Sequence, residues 1–223
     1  VDGSFPFGAA ITVRLINGFG VPAILTLPIA FLGGALVGIC TGLIHVKLKV
    51  RDLLSGIIMM TGLYTINLWV AGSGYVAIFD KDNIFNNNFV NSITPDFLVN
   101  FKNVIIIFLI TMVAKYLLDW YMSTKSGFLL RAVGDNDTIV TSLGVDKGLV
   151  KIVGLSIANG LVSLSGCIYA QQQRSFEISI GTGAVVIGLA SVIIGTSLFK
   201  KVTFFRVTSS VVLGSILYKA CVA

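Results

Sequence analysis

Charge is what this sequence lacks. Only 12% of its 223 residues are Asp, Glu, Lys or Arg, where a soluble domain carries about 25%. The deficit accompanies 55% hydrophobic residues and a mean hydropathy of +0.93. Several apolar runs approach the roughly 20 residues a helix needs to cross hydrocarbon, which excludes an ordinary soluble fold and places the chain in a bilayer. Cysteine is scarce and odd in number. Cys40, Cys167 and Cys221 lie far apart in apolar runs, as small hydrophobes in helices rather than a disulfide set or metal site. The net charge of +6 does not indicate nucleic acid, because the basic residues form no patch interleaved with aromatics. The chain begins at Val1 with neither methionine nor a signal-peptide pattern, so an N-terminal piece, with a span or more, is expected to precede it.

The sequence also lacks an energy source of its own. Ion-coupled carriers hold Asp, Glu or His inside the membrane, but no acidic residue falls at the centre of an apolar window. Asp119 and His45, the single histidine, lie near window ends. No GxxxxGK[ST] phosphate loop occurs, and Gly181–Gly183 lacks the Lys-Ser/Thr pair such a loop requires. Uphill transport would therefore draw on another polypeptide. A membrane-embedded enzyme has equally little support: one histidine, no HExxH and no acid pair within the spans.

Apolar windows at 21–45, 53–75, 103–121, 150–171, 183–199 and 203–221 predict an all-α, polytopic transmembrane bundle of about six spans. An earlier stretch, 5–18, is short and carries Arg14 and Asn17, so it reads as a re-entrant segment or the end of a truncated span. Alternating the spans puts Lys47, Lys49, Arg51, Lys115, Lys125, Arg131, Lys147, Lys151, Lys200, Lys201 and Arg206 on one side. Lys81, Lys102, Arg174 and Lys219 fall on the other, and the positive-inside rule makes the first side cytoplasmic.

Ala30, Gly34, Gly38 and Gly42 form a small-residue stripe at four-residue spacing, and Gly188, Ser191 and Gly195 form a shorter one. Such stripes let backbones approach closely; helix packing and the lining of a narrow path are both open readings. Polar residues inside the windows are few: Asn67 with Tyr64 and Thr65, and Asn159 with Ser156 and Ser163. An amide in hydrocarbon needs a partner, either another helix or a polar solute in a translocation path.

Between two spans stands GFLLRAVGDNDTIVTSLGVD, Gly127–Asp146. Gly134 is expected to break the chain, Asp135, Asn136 and Asp137 to supply an N-cap, and Thr138–Leu143 to form a short helix stopped by Gly144. Ile139, Val140 and Leu143 share an apolar face, suited to headgroups or to a partner's groove.

This segment resembles the cytoplasmic-loop motif of ABC-importer permeases of the branched-chain amino acid and ribose type. Gly127, Arg131, Ala132, Gly134, Asn136 and Gly144 match, with Val140 in place of the usual Ala and Val145 of the usual Ile. VDGSFPFGAA at 1–10, LKVRDLLSGIIMMTGLYTINL at 48–68 and GAVVIGLASVIIGTSLF at 183–199 extend the likeness to a bacterial subgroup, some of whose members are associated with aromatic amino acid uptake. The resemblance implies a single permease domain over 1–223, in the bacterial inner membrane and surrounded by lipid. It implies a second permease copy, cytoplasmic ATPases that carry the ATP and Mg, and an extracytoplasmic solute-binding protein. Residues 134–145, within the loop 127–148, would be the coupling helix, with Arg131, Gly134, Asn136, Ile139, Val140, Leu143 and Gly144 at the docking surface. Tyr64, Asn67, Asn159 and Ser163 are candidates for the path, and Gly34, Gly38, Gly42, Gly188 and Gly195 for helix packing. No cofactor or metal on the chain itself is expected. The alternative is a stand-alone carrier, which inverted repeats would favour. Only Gly33–Gly42 and Gly154–Gly166 resemble one another, as small-residue helices.

A carboxylate on the apolar face of the connector separates docking from headgroup anchoring. Ile139→Asp or Leu143→Asp is expected to abolish solute-stimulated ATP hydrolysis without loss of membrane insertion. Normal coupling in both variants would remove the docking role.

Overall fold

The computed structural model describes residues 3–78, 83–86, 101–135, 141, 144–198 and 207–222. In chain order these form α1 (Ser4–Phe19), a 3₁₀ turn at Ala23–Leu25, α2 (Thr26–Lys47), α3 (Asp52–Ala71) and β1 (Tyr75–Ala77). There follow α4 (Lys102–Met122), α5 (Lys125–Asp135), α6 (Lys147–Gln173), β2 (Ser175–Glu177), a second 3₁₀ turn at Ile178–Gly181, α7 (Ala184–Leu198) and α8 (Val207–Val222). Five helical stretches among the described residues are long and apolar enough to cross a membrane: Ala23–Lys47, Leu53–Ala71, Lys102–Met122, Lys147–Gln173 and Ile178–Leu198. They fall on the first five predicted windows. The sixth contains α8, a shorter apolar helix of 16 residues.

α6 is the axis of the bundle, and two helices lie against it in opposite directions. α2 runs antiparallel: Gly42 meets Ile152, Gly38 meets Leu155 and Ser156, and Gly34 meets Asn159 and Ser163. The small residues are there because the backbones nearly touch. A methyl group built on Gly38 would come within 2.6 Å of the Ser156 Cα, and one on Gly34 within 2.5 Å of the Asn159 carbonyl oxygen. α1 runs parallel to α6, with Ser4 bonded to Asn159, Gly8 against the Ser163 backbone and Gly166 against the Phe5 backbone. Lipid offers no hydrophobic drive for two helices to associate, so dispersion at this short range and the polar bonds it permits hold them together.

α1 contains the stretch read from the sequence as a re-entrant segment or the end of a truncated span. It is one unbroken helix and the most deeply packed element among the described residues, with Ala9, Ala10 and Thr12 fully buried and Val13 and Ile16 nearly so. Its small residues face α6, while Arg14 and Asn17 lie in its later turns, toward the β1–β2 end, where Asn17 Nδ2 donates to the Ala77 carbonyl at 3.1 Å. Its level is as informative as its burial. Asn159 stands twelve residues beyond the first residue of α6, or about 18 Å along the helix axis. α1 therefore begins close to the middle of the bilayer.

One end of the bundle is basic. Gly148 of α6 packs on Val46 of α2, and Gly154 packs on Leu130 of α5, so Lys47, Arg131, Lys147 and Lys151 belong to the same end. Asp146 caps α6 there by accepting from the Gly148 N–H at 2.8 Å, a contact typically worth about 1 kcal/mol. At the opposite end β1 and β2 pair antiparallel, Val76 opposite Phe176. They cover a cluster of Ile16, Ala23, Ile78, Ile84 and Phe176. α7 and α8 pair through Gly195, which meets the Ser210 carbonyl, and Gly214, which meets Ser191 and Gly195. Gly188 has nothing within reach of an added methyl among the described residues, so the shorter stripe packs on α8 through Ser191 and Gly195 only.

Substitutions should sort by these distances. Gly38→Leu must displace the α6 backbone and is expected to destabilise by about 3 kcal/mol or more, seen as loss of a monodisperse species after mild-detergent extraction. Gly62→Ala meets nothing within 4 Å and is expected to leave the thermal midpoint unchanged or raise it, since Ala in a helix is favoured over Gly by about 0.5–1 kcal/mol.

Candidate functional site

The four path candidates separate into two pairs. Asn159 and Ser163 lie in the interface between α6 and its neighbours. Asn159 Oδ1 accepts from the Ser4 hydroxyl at 2.6 Å, its Nδ2 donates to the Leu155 carbonyl at 2.8 Å, and the Ser163 hydroxyl donates to the Ala30 carbonyl at 2.7 Å. Both are buried, and their polar atoms are occupied by protein. Ser156 does likewise, donating to the Ala35 carbonyl at 3.1 Å.

Asn67 and Tyr64 sit elsewhere. They are one turn apart on α3 and line a cleft of about 240 Å³ near the start of α1. Gly3 and Pro6 form one wall, Met60, Thr61, Tyr64 and Asn67 a second, and Ile178, Ser179, Gly181 and Thr182 a third. The third wall exists because the chain does not go directly from α6 into α7. After β2 it makes a 3₁₀ turn, held by the Ile178 N–H donating to the Gly74 carbonyl and the Thr182 N–H donating to the Ser179 carbonyl. Gly183, at a φ of +82° that only glycine adopts without strain, then starts α7. Among the described residues the lining contains hydroxyls and an amide but no Asp, Glu, Lys, Arg or His; the Glu177 carboxylate lies at its edge and accepts from the lining Ser179 hydroxyl.

One atom in this cleft stands out. Asn67 is 1% exposed, and its Nδ2 donates to the Gly3 carbonyl at 3.2 Å. Its Oδ1 is buried and has no hydrogen-bond partner. Leaving a buried acceptor unsatisfied costs about 1–3 kcal/mol, and groups of this kind call for an explanation in strain or function. A larger cavity of about 660 Å³ between α2, α4 and α6 offers no comparable chemistry. Leu27, Phe31, Leu109, Val113 and Leu161 line it, and they are hydrocarbon seeking hydrocarbon.

In the connector between α4 and α6 Gly134 does not break the chain. α5 runs through it from Lys125 to Asp135, because Phe-Leu-Leu-Arg-Ala is strongly helix-forming and an exposed glycine costs a helix only about 1 kcal/mol. Val133 is buried and Leu130 packs on Gly154, leaving Arg131 and Gly134 exposed. Gly144 adopts a φ of +73° and its N–H donates to the Thr141 carbonyl at 3.1 Å, the geometry of a glycine ending a helical turn. Asn136, Ile139, Val140 and Leu143 lie outside the described residues.

Sequence reasoning missed Gln171 and Thr26. Gln171 is 1% exposed; its Nε2 donates to Thr26 Oγ1 at 2.8 Å and to the Ala23 carbonyl at 3.3 Å, and its Oε1 accepts from the Ile84 N–H at 3.2 Å. Asn83 Nδ2 completes the knot by donating to the Gln171 carbonyl at 3.2 Å. The run Gln171-Gln172-Gln173 looks like a polar helix end, and nothing in it distinguishes the residue that turns inward. Asp119 is also more buried than its place beside Trp120 suggested. It accepts from the Thr208 hydroxyl at 2.7 Å and faces Lys115 at 3.7 Å, tying α4 to α8.

Comparison with known proteins places these observations in context. Residues 1–221 match the family model described as the permease component of branched-chain amino acid transport systems. The chain is 39% identical over 219 residues to a tyrosine transport system permease protein of Clostridioides difficile, covering 98% of this chain and 70% of that one. It is 27% identical to the ribose import permease protein of Escherichia coli, across 81% of this chain and 54% of the relative. It is 26% identical to a probable branched-chain amino acid transport permease protein of Methanocaldococcus jannaschii, across 81% and 58%. No solved structure matches the chain.

The division of the polar residues makes separable predictions. Ser163→Ala and Asn159→Ala are each expected to lower stability in detergent by about 0.5–2 kcal/mol while solute uptake per folded molecule stays within about twofold. A variant with unaltered unfolding temperature and lost uptake would put that residue in the path.

Proposed function

The chain belongs to the family of permease components of branched-chain amino acid transport systems, and on that premise we propose that it is the membrane-spanning subunit of an ATP-binding-cassette importer for a small neutral amino acid. The observation that carries this reading is the pairing of family membership with a cleft, beside the start of α1, that offers hydroxyls and an amide among apolar side chains. A solute with hydrogen-bonding groups needs such a place to shed water, and the absence of an acid or base from the lining suits a molecule of no net charge. The name of the tyrosine permease relative favours an aromatic amino acid; the ribose and branched-chain relatives mark neighbouring solute classes within the same design.

In this reading ATP is bound and hydrolysed on cytoplasmic partner subunits, a second permease copy completes the path, and an extracytoplasmic binding protein delivers the solute to the end capped by β1 and β2. The assembly resides in the bacterial inner membrane. Residues 134–145 dock on the ATPase, and α5 gives that contact a rigid connection to the bundle: Leu130 rests on Gly154 of α6, so a push on the connector reaches the axis helix directly. A stand-alone carrier has less to support it, since the described lining holds no Asp, Glu or His side chain of its own.

Mild-detergent pull-down of the tagged full-length protein from native membranes tests the proposal. A P-loop ATPase and a solute-binding protein are expected among the co-purifying chains. Recovery of the permease alone, under conditions that preserve a known transporter complex, would overturn the importer reading.

A further inference from the structure

The unsatisfied carbonyl of Asn67 and the two helix starts beside it define what the cleft is built to hold. Gly3, immediately before α1, and Thr182, two residues before α7, both line it. The first N–H groups of a helix lack intrahelical partners and carry the positive end of its dipole, and at mid-membrane no bulk water competes for them. Two such ends beside one cleft favour a carboxylate. Asn67 Oδ1, buried and without a partner, needs the opposite: a donor. A molecule that presents a carboxylate to one side and an N–H donor to the other, with no net charge, satisfies both requirements. Pro6, Met60 and Ile178 provide an apolar wall for the remainder of the solute.

We propose that this cleft recognises the α-amino and α-carboxylate groups of a neutral amino acid, the amino group donating to Asn67 Oδ1 and the carboxylate lying at the N-termini of α1 and α7. The inference rests on the permease reading above and adds to it the site and the groups recognised. A sugar satisfies Asn67 through a hydroxyl but leaves both helix starts without an anion. A metal or alkali cation finds one carboxylate beside the described lining, that of Glu177, and its Oε1 already accepts from the Ser179 hydroxyl. Selection by backbone groups common to all amino acids also leaves the choice of side chain to another component, such as a binding protein.

The test is protection from thiol labelling in the purified full-length permease, without ATPase or binding protein. Thr61→Cys is placed in a Cys40→Ser, Cys221→Ser background, and Cys167 stays because it is fully buried. The labelling rate with a small uncharged methanethiosulfonate is measured against L-tyrosine, its decarboxylated analogue tyramine, its deaminated analogue hydroxyphenylpropionate, and D-ribose. L-tyrosine is expected to slow labelling at least about threefold, and each analogue to require about tenfold more for the same effect, the loss of one good polar interaction. Asn67→Leu, with its unliganded labelling rate as the check on folding, is expected to erase the advantage of tyrosine over hydroxyphenylpropionate and keep its advantage over tyramine. If that variant does not fold, the analogue series in the parent decides. No protection by tyrosine, equal protection by all three aromatic compounds, or stronger protection by ribose would overturn the site. ATP-driven amino acid import with no protection removes the cleft and leaves the importer standing; protection without such import does the reverse.

Discussion

Every other feature of this molecule depends on how close α6 can come to its neighbours. In water a helical bundle is driven together by burial of apolar side chains. In lipid that drive vanishes, because a leucine loses nothing by facing an acyl chain. Exposed Leu36, Ile39, Val104, Ile105 and Phe108 show the consequence on the outer faces of α2 and α4. Cohesion has to come from the inside, where Gly34, Gly38 and Gly42 of α2 and Gly8 of α1 let backbone meet backbone. Side-chain hydroxyls then reach main-chain carbonyls of another helix, as Ser163 reaches Ala30 and Ser156 reaches Ala35.

The same constraint explains why the cleft is where it is. Next to α6 all the polar capacity is consumed by packing. α3 lies beyond α1, on the side away from α6, and there an amide can remain half-satisfied without loosening the core. Asn67 holds α1 with its nitrogen and keeps its oxygen in reserve. Two residues of the same type are thereby used differently: Asn159 is bonded on both sides, Asn67 on one. Asn83 is a further buried amide whose Oδ1 lacks a partner, but it belongs to the knot around Gln171.

Much of this was legible in the sequence because hydrocarbon imposes simple rules. Length and apolarity located the five long apolar helices, and the four-residue spacing from Ala30 to Gly42 marked a packing face. The role of α1 was not legible. A 16-residue helix containing Arg14 scores poorly as a span, and only its neighbours show that its small residues face inward. The difference between Asn67 and Asn159 was also hidden, since both appear as lone amides in apolar runs. What separates them is whether a donor from a distant segment arrives, and Ser4 lies 155 residues from Asn159. Gly134 misled for a local reason: glycine weakens a helix without ending one when good helix formers precede it.

The stripe on α2 has a property that its packing role does not reveal. Small residues repeated every fourth position make a ruler with identical marks. Sliding α6 by four residues, about 6 Å, would bring it against the next small residue with little change in fit. Shape alone therefore leaves the alignment of these helices ambiguous. The amide of Gln171 on α6 finds the hydroxyl of Thr26 on α2 in one alignment only. This bond, modest as an energy, acts as the index pin that chooses among otherwise equivalent notches.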